Sequence, residues 1–195
     1  MCSWCWGFSP VLRRLHSIIQ TQAKFHVIMG GLRPGLSQPW DQDMRTYIRH
    51  HWQTVSENTG QPFDFARFDD LSFVYNTEPA CRAVVTVRRI QPDAALHMFE
   101  AIQDAFYARG QDVTNTDILA DIAQHCTISR DAFLDLYLQD SLMQLTRNDF
   151  NLTRQFGVSG YPTVLFLKEE NTSILTSGYQ SFDSLARKLD EWLNT

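Results

Sequence analysis

Met1-Cys2-Ser3-Trp4-Cys5 opens this chain of 195 residues and runs straight into a segment with helical spacing. Two thiols at this spacing suit dithiol–disulfide exchange, because the partial positive charge at a helix N-terminus favours the thiolate of the first cysteine. Taken alone, the pair also serves as half of a zinc site. Its meaning narrows beside a second stretch far downstream, Val158-Ser159-Gly160-Tyr161-Pro162-Thr163. Together the two stretches decide the fold.

Working outward from the thiols, Phe8, Val11, Leu12, Leu15, Ile18 and Ile19 form one apolar stripe at helical spacing, with Pro10 in the early part. Phe25-His26-Val27-Ile28-Met29 then reads as a short buried strand stopped by Gly30-Gly31. The middle of the chain carries helical patterns only. Asp41 is placed to cap a helix bearing Met44, Tyr47, Ile48, Trp52 and Val55 that ends at Gly60. Thr77-Glu78-Pro79 opens another, and Asp93 to Arg109 reads as one helix stopped by Gly110. Thr114-Asn115-Thr116-Asp117 and Ser129-Arg130-Asp131 start two more, and Asp140 to Phe156 closes the block at Gly157. After Pro162, Thr163 to Lys168 reads as a strand, Glu169 to Thr172 as a polar turn and Ser173 to Thr176 as a second strand. Ser181 then begins a last helix with Leu185, Leu189 and Trp192 facing inward.

This order resembles the DsbA-like branch of the thioredoxin superfamily, along the whole chain. The Met-Cys-Ser-Trp-Cys-Trp-Gly-Phe opening is similar to the FrnE-type disulfide isomerases within it. The resemblance implies an α/β thioredoxin-like fold with a large all-helical insertion. Residues 1–35 would supply the first half of the thioredoxin-like part, 36–156 the insertion, and 157–195 the second half. It further implies that Cys2 is the exposed nucleophile, Cys5 the buried resolving thiol and Pro162 a cis-proline facing the pair. The backbone of Tyr161 would pair with a bound thiol peptide. Ser3 and Trp4 stand where relatives carry other dipeptides that tune the thiolate, and both are expected at the substrate groove. Cys2 is therefore expected below the ordinary thiol pKa of about 8.5.

The family's sheet has a strand before the active-site helix, in the middle of the sheet. No such segment precedes Met1, so the expectation is a start placed at an internal methionine, with the first central strand upstream. Otherwise the strands at 25–29 and 163–168 present open edges, unless rearrangement or another chain completes the sheet. If Met1 is the true start, Cys2 sits beside a free, positively charged terminus.

An apolar fraction of 44% with 20% charged residues fits an ordinary globular protein, with enough chain for a proper core. The net charge of −5 and scattered basic residues argue against nucleic acid or an acidic membrane as partner. No stretch approaches the ~18 apolar residues of a membrane span, and no secretory signal precedes the thiols. A cytoplasmic protein is expected, acting as a monomer or homodimer. Four cysteines do not make a disulfide scaffold, and Cys81 and Cys126, isolated in helical patterns, read as core residues. No pair of histidines stands at metal-site spacing with them, so no metal is expected. Trp40, Trp52, Phe63, Phe65, Phe68 and Phe73 read as the core of the helical part, with a peptide groove as the alternative. Trp6 and Phe8 either rim the thiol or belong to the core.

The function these residues point to is thiol–disulfide oxidoreductase or isomerase, acting through a mixed disulfide on a thiol- or disulfide-containing protein or peptide. No metal or organic cofactor is required, although glutathione or a thioredoxin-type donor would recycle the pair. Two rivals remain. One is a glutathione-dependent transferase or isomerase of the kappa-class type, which Cys5 argues against. The other is a chaperone-like or redox-sensing binding module.

Overall fold

The computed structural model describes residues 1–168 and 171–194. Helix α1 spans Ser3–Ile19 with Cys2 as its N-cap and Pro10 inside it. Its two faces divide between two apolar cores. Trp6 joins the larger core, whereas Phe8, Leu15 and Ile19 enter the smaller one with Phe166, Leu175, Leu185 and Leu189. The helix that carries the thiols is therefore clamped from both sides.

The larger core is built by the helices of the middle of the chain. Helix α2, Gln42–Thr59, starts where the Asp41 carboxylate accepts from the Met44 N–H and stops at Gly60, whose φ of 72° is left-handed. Helix α3, Glu78–Ile90, has Pro79 in its first turn. The stretch expected as one helix from Asp93 to Arg109 is continuous but not uniformly α-helical. A 3₁₀ turn at Pro92–Ala94 leads into α4, Ala95–Gln103, and the last turn, Asp104–Ala108, is π-helical before Gly110 at φ 59°. Helices α5 (Thr116–His125), α6 (Arg130–Tyr137) and α7 (Asp140–Gln155) follow, with Asn115 and Ser129 capping the first two through their side chains. Trp52, 1% exposed, is ringed by Phe63, Phe65, Phe68, Phe106 and Tyr107 at centroid separations of 4.7–6.1 Å. Aromatic residues this enclosed are core, and Trp52 also borders a small cavity beside Cys2.

Past α7 the chain forms a hairpin of β1, Thr163–Lys168, and β2, Asn171–Ser177, paired antiparallel with an irregularity at Val164/Leu165. The second strand is longer than expected, and part of the expected turn at 169–172 lies outside the described residues. Helix α8, Phe182–Leu193, buries Leu185 and Leu189, and Trp192 stacks on Phe166 at 4.1 Å.

The expected strand at Phe25–Met29 is not a strand. Among the described residues the sheet has two members, β1 and β2. Burial still alternates along the run, with Phe25, Val27 and Met29 turned inward and His26 and Ile28 outward. Side chains from two helices take the place of a sheet ladder. Arg88 of α3 donates to the Val27 carbonyl at 2.6 Å, Asp149 of α7 accepts from the Met29 N–H at 2.9 Å, and Thr153 donates to the Met29 carbonyl at 3.3 Å. Arg88 and Asp149 are themselves joined by two 2.8 Å hydrogen bonds. Between this run and β1 lies an apolar slot of about 510 Å³, reaching from Cys2 and Cys5 to Leu167.

Candidate active site

Cys2 sits at the point where α1 begins, with extended backbone (φ −150°, ψ 117°) and its carbonyl accepting the first helical hydrogen bond from the Trp6 N–H at 3.1 Å. A thiol here faces the free amides of the first turn. Its pKa falls to about 7. The largest cause is a hydrogen bond from the Cys5 thiol, and the amides of Cys5 and Trp4 add to it against the cost of burial. Cys5 moves the opposite way, held up first by donating to Cys2 and then by burial. Cys2 is thus the more acidic thiol of the pair, and Cys5 the one that keeps its proton. Both are reduced and partly accessible.

The downstream stretch comes to the same place. The Tyr161–Pro162 peptide is cis, and the Tyr161 carbonyl oxygen lies 3.9 Å from the Cys2 sulfur. Tyr161 is fixed by its hydroxyl, which donates to the Gly30 carbonyl at 2.7 Å. A Cβ on Gly30 would sit 2.1–2.5 Å from the Tyr161 ring, so only glycine allows this approach. Gly31, at φ 67°, meets the Phe150 ring in the same way. The Gly30-Gly31 pair, expected to stop a strand, instead seats the ring that positions the carbonyl.

Two tyrosines hold the other side of Cys2. The Tyr75 hydroxyl donates to the Met1 carbonyl at 3.0 Å and lies 3.2 Å from the Tyr107 hydroxyl. Burial pushes both phenols up, which keeps them protonated. Nothing in the local sequence marks Tyr75 or Tyr107, because each reaches the thiols only through the packing of the helical core.

Of the expected groove residues, Trp4 packs on Tyr179 at 5.6 Å and Ser3 lines a second cavity, of about 240 Å³, together with Cys2, Trp4 and Tyr161. Pro162 instead faces the large slot with Cys2 and Cys5. Trp6 and Phe8, 5% and 1% exposed, are core: the Trp6 indole donates to the Pro62 carbonyl and its ring stacks on Tyr107. Cys81 and Cys126 are buried, and burial pushes both thiols up, Cys126 to about 11, so neither is a ready nucleophile.

The model of the DSBA-like thioredoxin domain matches residues 1–190. The chain belongs to this DSBA-like family. A Nitrosomonas europaea structure named "putative protein disulfide isomerase" superposes with a TM-score of 0.92 at 36% identity, covering all of this chain and 93% of that one. The cytosolic disulfide reductase DsbM from Pseudomonas aeruginosa has a TM-score of 0.81 at 23% identity, over the whole chain and 95% of DsbM, and at that identity shows the shared fold alone. A DsbM structure with GSH gives 0.79. Among curated sequences, the ClpXP adapter protein SpxH of Halalkalibacterium halodurans is 23% identical over 99% of the chain, which spans 65% of that relative's length. This DSBA-like chain therefore combines a thioredoxin-like α/β part with a large helical part. Among its described residues no helix is long and apolar enough to cross a membrane.

Proposed function

We propose that this protein is a thiol–disulfide oxidoreductase or isomerase of cytoplasmic setting, with Cys2 as nucleophile and Cys5 as resolving thiol. The observation that carries the reading is the opposed tuning of the two thiols at the start of α1, next to the Tyr161 carbonyl. With a pKa of about 7, roughly half of Cys2 is thiolate at neutral pH. The thiolate attacks one sulfur of a substrate disulfide, a mixed disulfide forms at Cys2, and the other substrate sulfur leaves as a thiolate.

The resolving step follows from the same electrostatics. Cys5 is held protonated largely because it donates to a negative sulfur. Once Cys2 is in a mixed disulfide, that charge is gone, and burial is the main cause still opposing ionisation. Cys5 then loses its proton, attacks the Cys2 sulfur and expels the second substrate thiol, leaving a Cys2–Cys5 disulfide. The substrate has gained two electrons and the enzyme has lost them. Two thiols of glutathione, or one dithiol donor of the thioredoxin type, return them. The GSH in a DsbM structure supports the first of these. The main-chain polar groups of Tyr161 align an extended substrate beside Cys2, with Ser3, Trp4 and Pro162 forming its surroundings. No metal or organic cofactor takes part.

The test is reduction of a protein disulfide coupled to glutathione and its reductase. The native protein turns over, and Cys2→Ser does not. Full activity in Cys2→Ser overturns the proposal.

The SpxH relatives favour a second reading, a binding module that holds a partner polypeptide. Its mark is partner binding that persists in the Cys2→Ser, Cys5→Ser double variant without any catalysed thiol exchange.

A further inference from the structure

The cavity of about 240 Å³ beside Cys2 has an unusual lining for a redox groove. Its lining is largely aromatic and apolar, including Trp52, Tyr75 and Leu32, yet Arg33 lines it together with Cys2. Arg33 is half-buried, and its main chain is pinned twice to Thr77. Its N–H donates to the Thr77 hydroxyl at 3.0 Å, and its carbonyl accepts from the Thr77 N–H at 3.1 Å. The backbone is therefore fixed, and the guanidinium has a short reach.

That guanidinium has no carboxylate. Among the described residues, Arg13, Arg14, Arg67, Arg82, Arg88, Arg109, Arg130 and Arg187 pair with an acid, and Arg49, Arg89, Arg147 and Arg154, which do not, are exposed to water. Arg45 is spent on three main-chain carbonyls. Arg33 has only the Met44 sulfur at 3.9 Å, a weak acceptor. A guanidinium with five donors, partly removed from water and left without an anion, is an incomplete pair. Its charge is felt across the groove, where it acts on the Tyr75 phenol. Also lining the cavity, Tyr47 and His51 pack edge-to-face at 4.3 Å, and Tyr47 stays 56% exposed.

We infer that Arg33 is a specificity-determining residue that binds a carboxylate of the disulfide or thiol substrate, so that this groove selects acidic thiol peptides. The inference rests on the reading of Cys2 as nucleophile. The cavity is smaller than the 300–1,000 Å³ of a site for a drug-sized ligand. It therefore suits a fragment of a few residues: a cysteine whose sulfur meets Cys2, with a neighbouring carboxylate meeting Arg33 and a short peptide link between. A free tripeptide thiol such as glutathione and an acidic cysteine-containing segment of a polypeptide share this chemistry.

The experiment compares two disulfides reacting with the reduced protein: glutathione disulfide and the same molecule with its glycine carboxylates converted to amides. Each is presented to the native protein, Arg33→Gln and Arg33→Lys, with second-order rates followed by tryptophan fluorescence. The native protein is expected to prefer the carboxylate form about tenfold, the equivalent of about 1.4 kcal/mol. Arg33→Gln reduces that ratio to about one, Arg33→Lys restores part of it, and 0.5 M salt shrinks it. A longer peptide disulfide with an acidic residue next to cysteine, and its amide counterpart, distinguishes the two sources. An Arg33-dependent ratio only for glutathione disulfide assigns the site to a small thiol, and one for both extends it to polypeptides. Equal rates for the two forms with the native protein, or an Arg33→Gln ratio unchanged from native, overturn the inference and leave the nucleophile intact. Failure of either form to react at Cys2 overturns both.

Discussion

The sulfur of Cys2 lies 3.9 Å from the main-chain oxygen of Tyr161, 159 positions away in the chain. Neither partner reaches this place by local structure alone. Cys2 is delivered by the start of α1, whose two faces lock into separate apolar cores. Tyr161 is delivered by its ring, seated on Gly30. The contact puts a hydrogen-bond acceptor where the backbone of an incoming thiol peptide would lie.

In the proposed mechanism Cys5 acts only after the mixed disulfide has formed, so its replacement should separate the two steps. In Cys5→Ser, incubation with a disulfide substrate should accumulate the adduct at Cys2, seen as a mass increase of one substrate half. In Cys2→Ser, no adduct forms and turnover falls by about three orders of magnitude or more. An adduct at Cys5 in that variant would show that the resolving role is misassigned.

Gly30→Ala tests the seating of Tyr161. Its added methyl group must displace the ring and break the 2.7 Å bond to the Gly30 carbonyl. Overpacking of this kind costs about 1–3 kcal/mol in stability, readable in urea unfolding, and substrate reduction should fall with it. Tyr161→Phe loses only the hydrogen bond, at about 1 kcal/mol, and should keep more activity than Gly30→Ala. The opposite ranking would contradict the seating role.

Asp149 and Arg88 hold the run at 25–29 in place of a sheet. Asp149, with 8% of its side chain exposed, anchors both the Arg88 guanidinium and the Met29 N–H. Asp149→Asn removes the charge from this buried pair. Because Arg88 is 23% exposed and can rehydrate, the cost should be about 2–3 kcal/mol, below the full range for breaking a buried pair. Amide exchange at Met29 should accelerate more than exchange in α3. A Met29 amide that exchanges at the native rate in Asp149→Asn would refute this anchoring.

The reduced protein should gain stability as pH rises from 7 towards the ordinary thiol range. Cys2 is an acid whose pKa in the fold, about 7, lies below its ordinary value, so between the two the unfolded chain binds more protons. The contribution is present above the unfolded value and is lost as pH falls through 7. Its slope is at most about 1.4 kcal/mol per pH unit. Cys5, shifted upward, works against stability at higher pH, above its ordinary range. The stability difference between the reduced native protein and Cys2→Ser should therefore grow from pH 7 to 8.5. A flat difference would mean that Cys2 is not perturbed in the fold.

Much of the fold could be read from residue order because its signals are local. Asp41, Asn115 and Ser129 cap their helices through their own side chains, and Gly60 and Gly110 end helical runs in left-handed conformation. The hairpin follows from the apolar run at 163–168. The misread element, Phe25–Met29, has the right alternation but no ladder, because its partners are Arg88 and Asp149, about 60 and 120 positions away. The change of helix type along 92–108 left no mark in the pattern, since 3₁₀ and π turns keep the helical spacing nearly intact. The two thiols and Tyr161-Pro162 stood out as motifs. Tyr75, Tyr107, Gly30 and Arg33 did not, since their place beside Cys2 exists only once the helical part has packed.

The most direct measurement is the rate of iodoacetamide alkylation of the reduced protein as a function of pH, with the label located by mass spectrometry. The account predicts a fast phase at Cys2 with a midpoint near 7, and Cys5 labelled only slowly. Slow labelling of Cys2 with a midpoint in the ordinary range of about 8.5 would contradict a Cys2 thiolate stabilised by Cys5 and the first-turn amides, and with it the central claim.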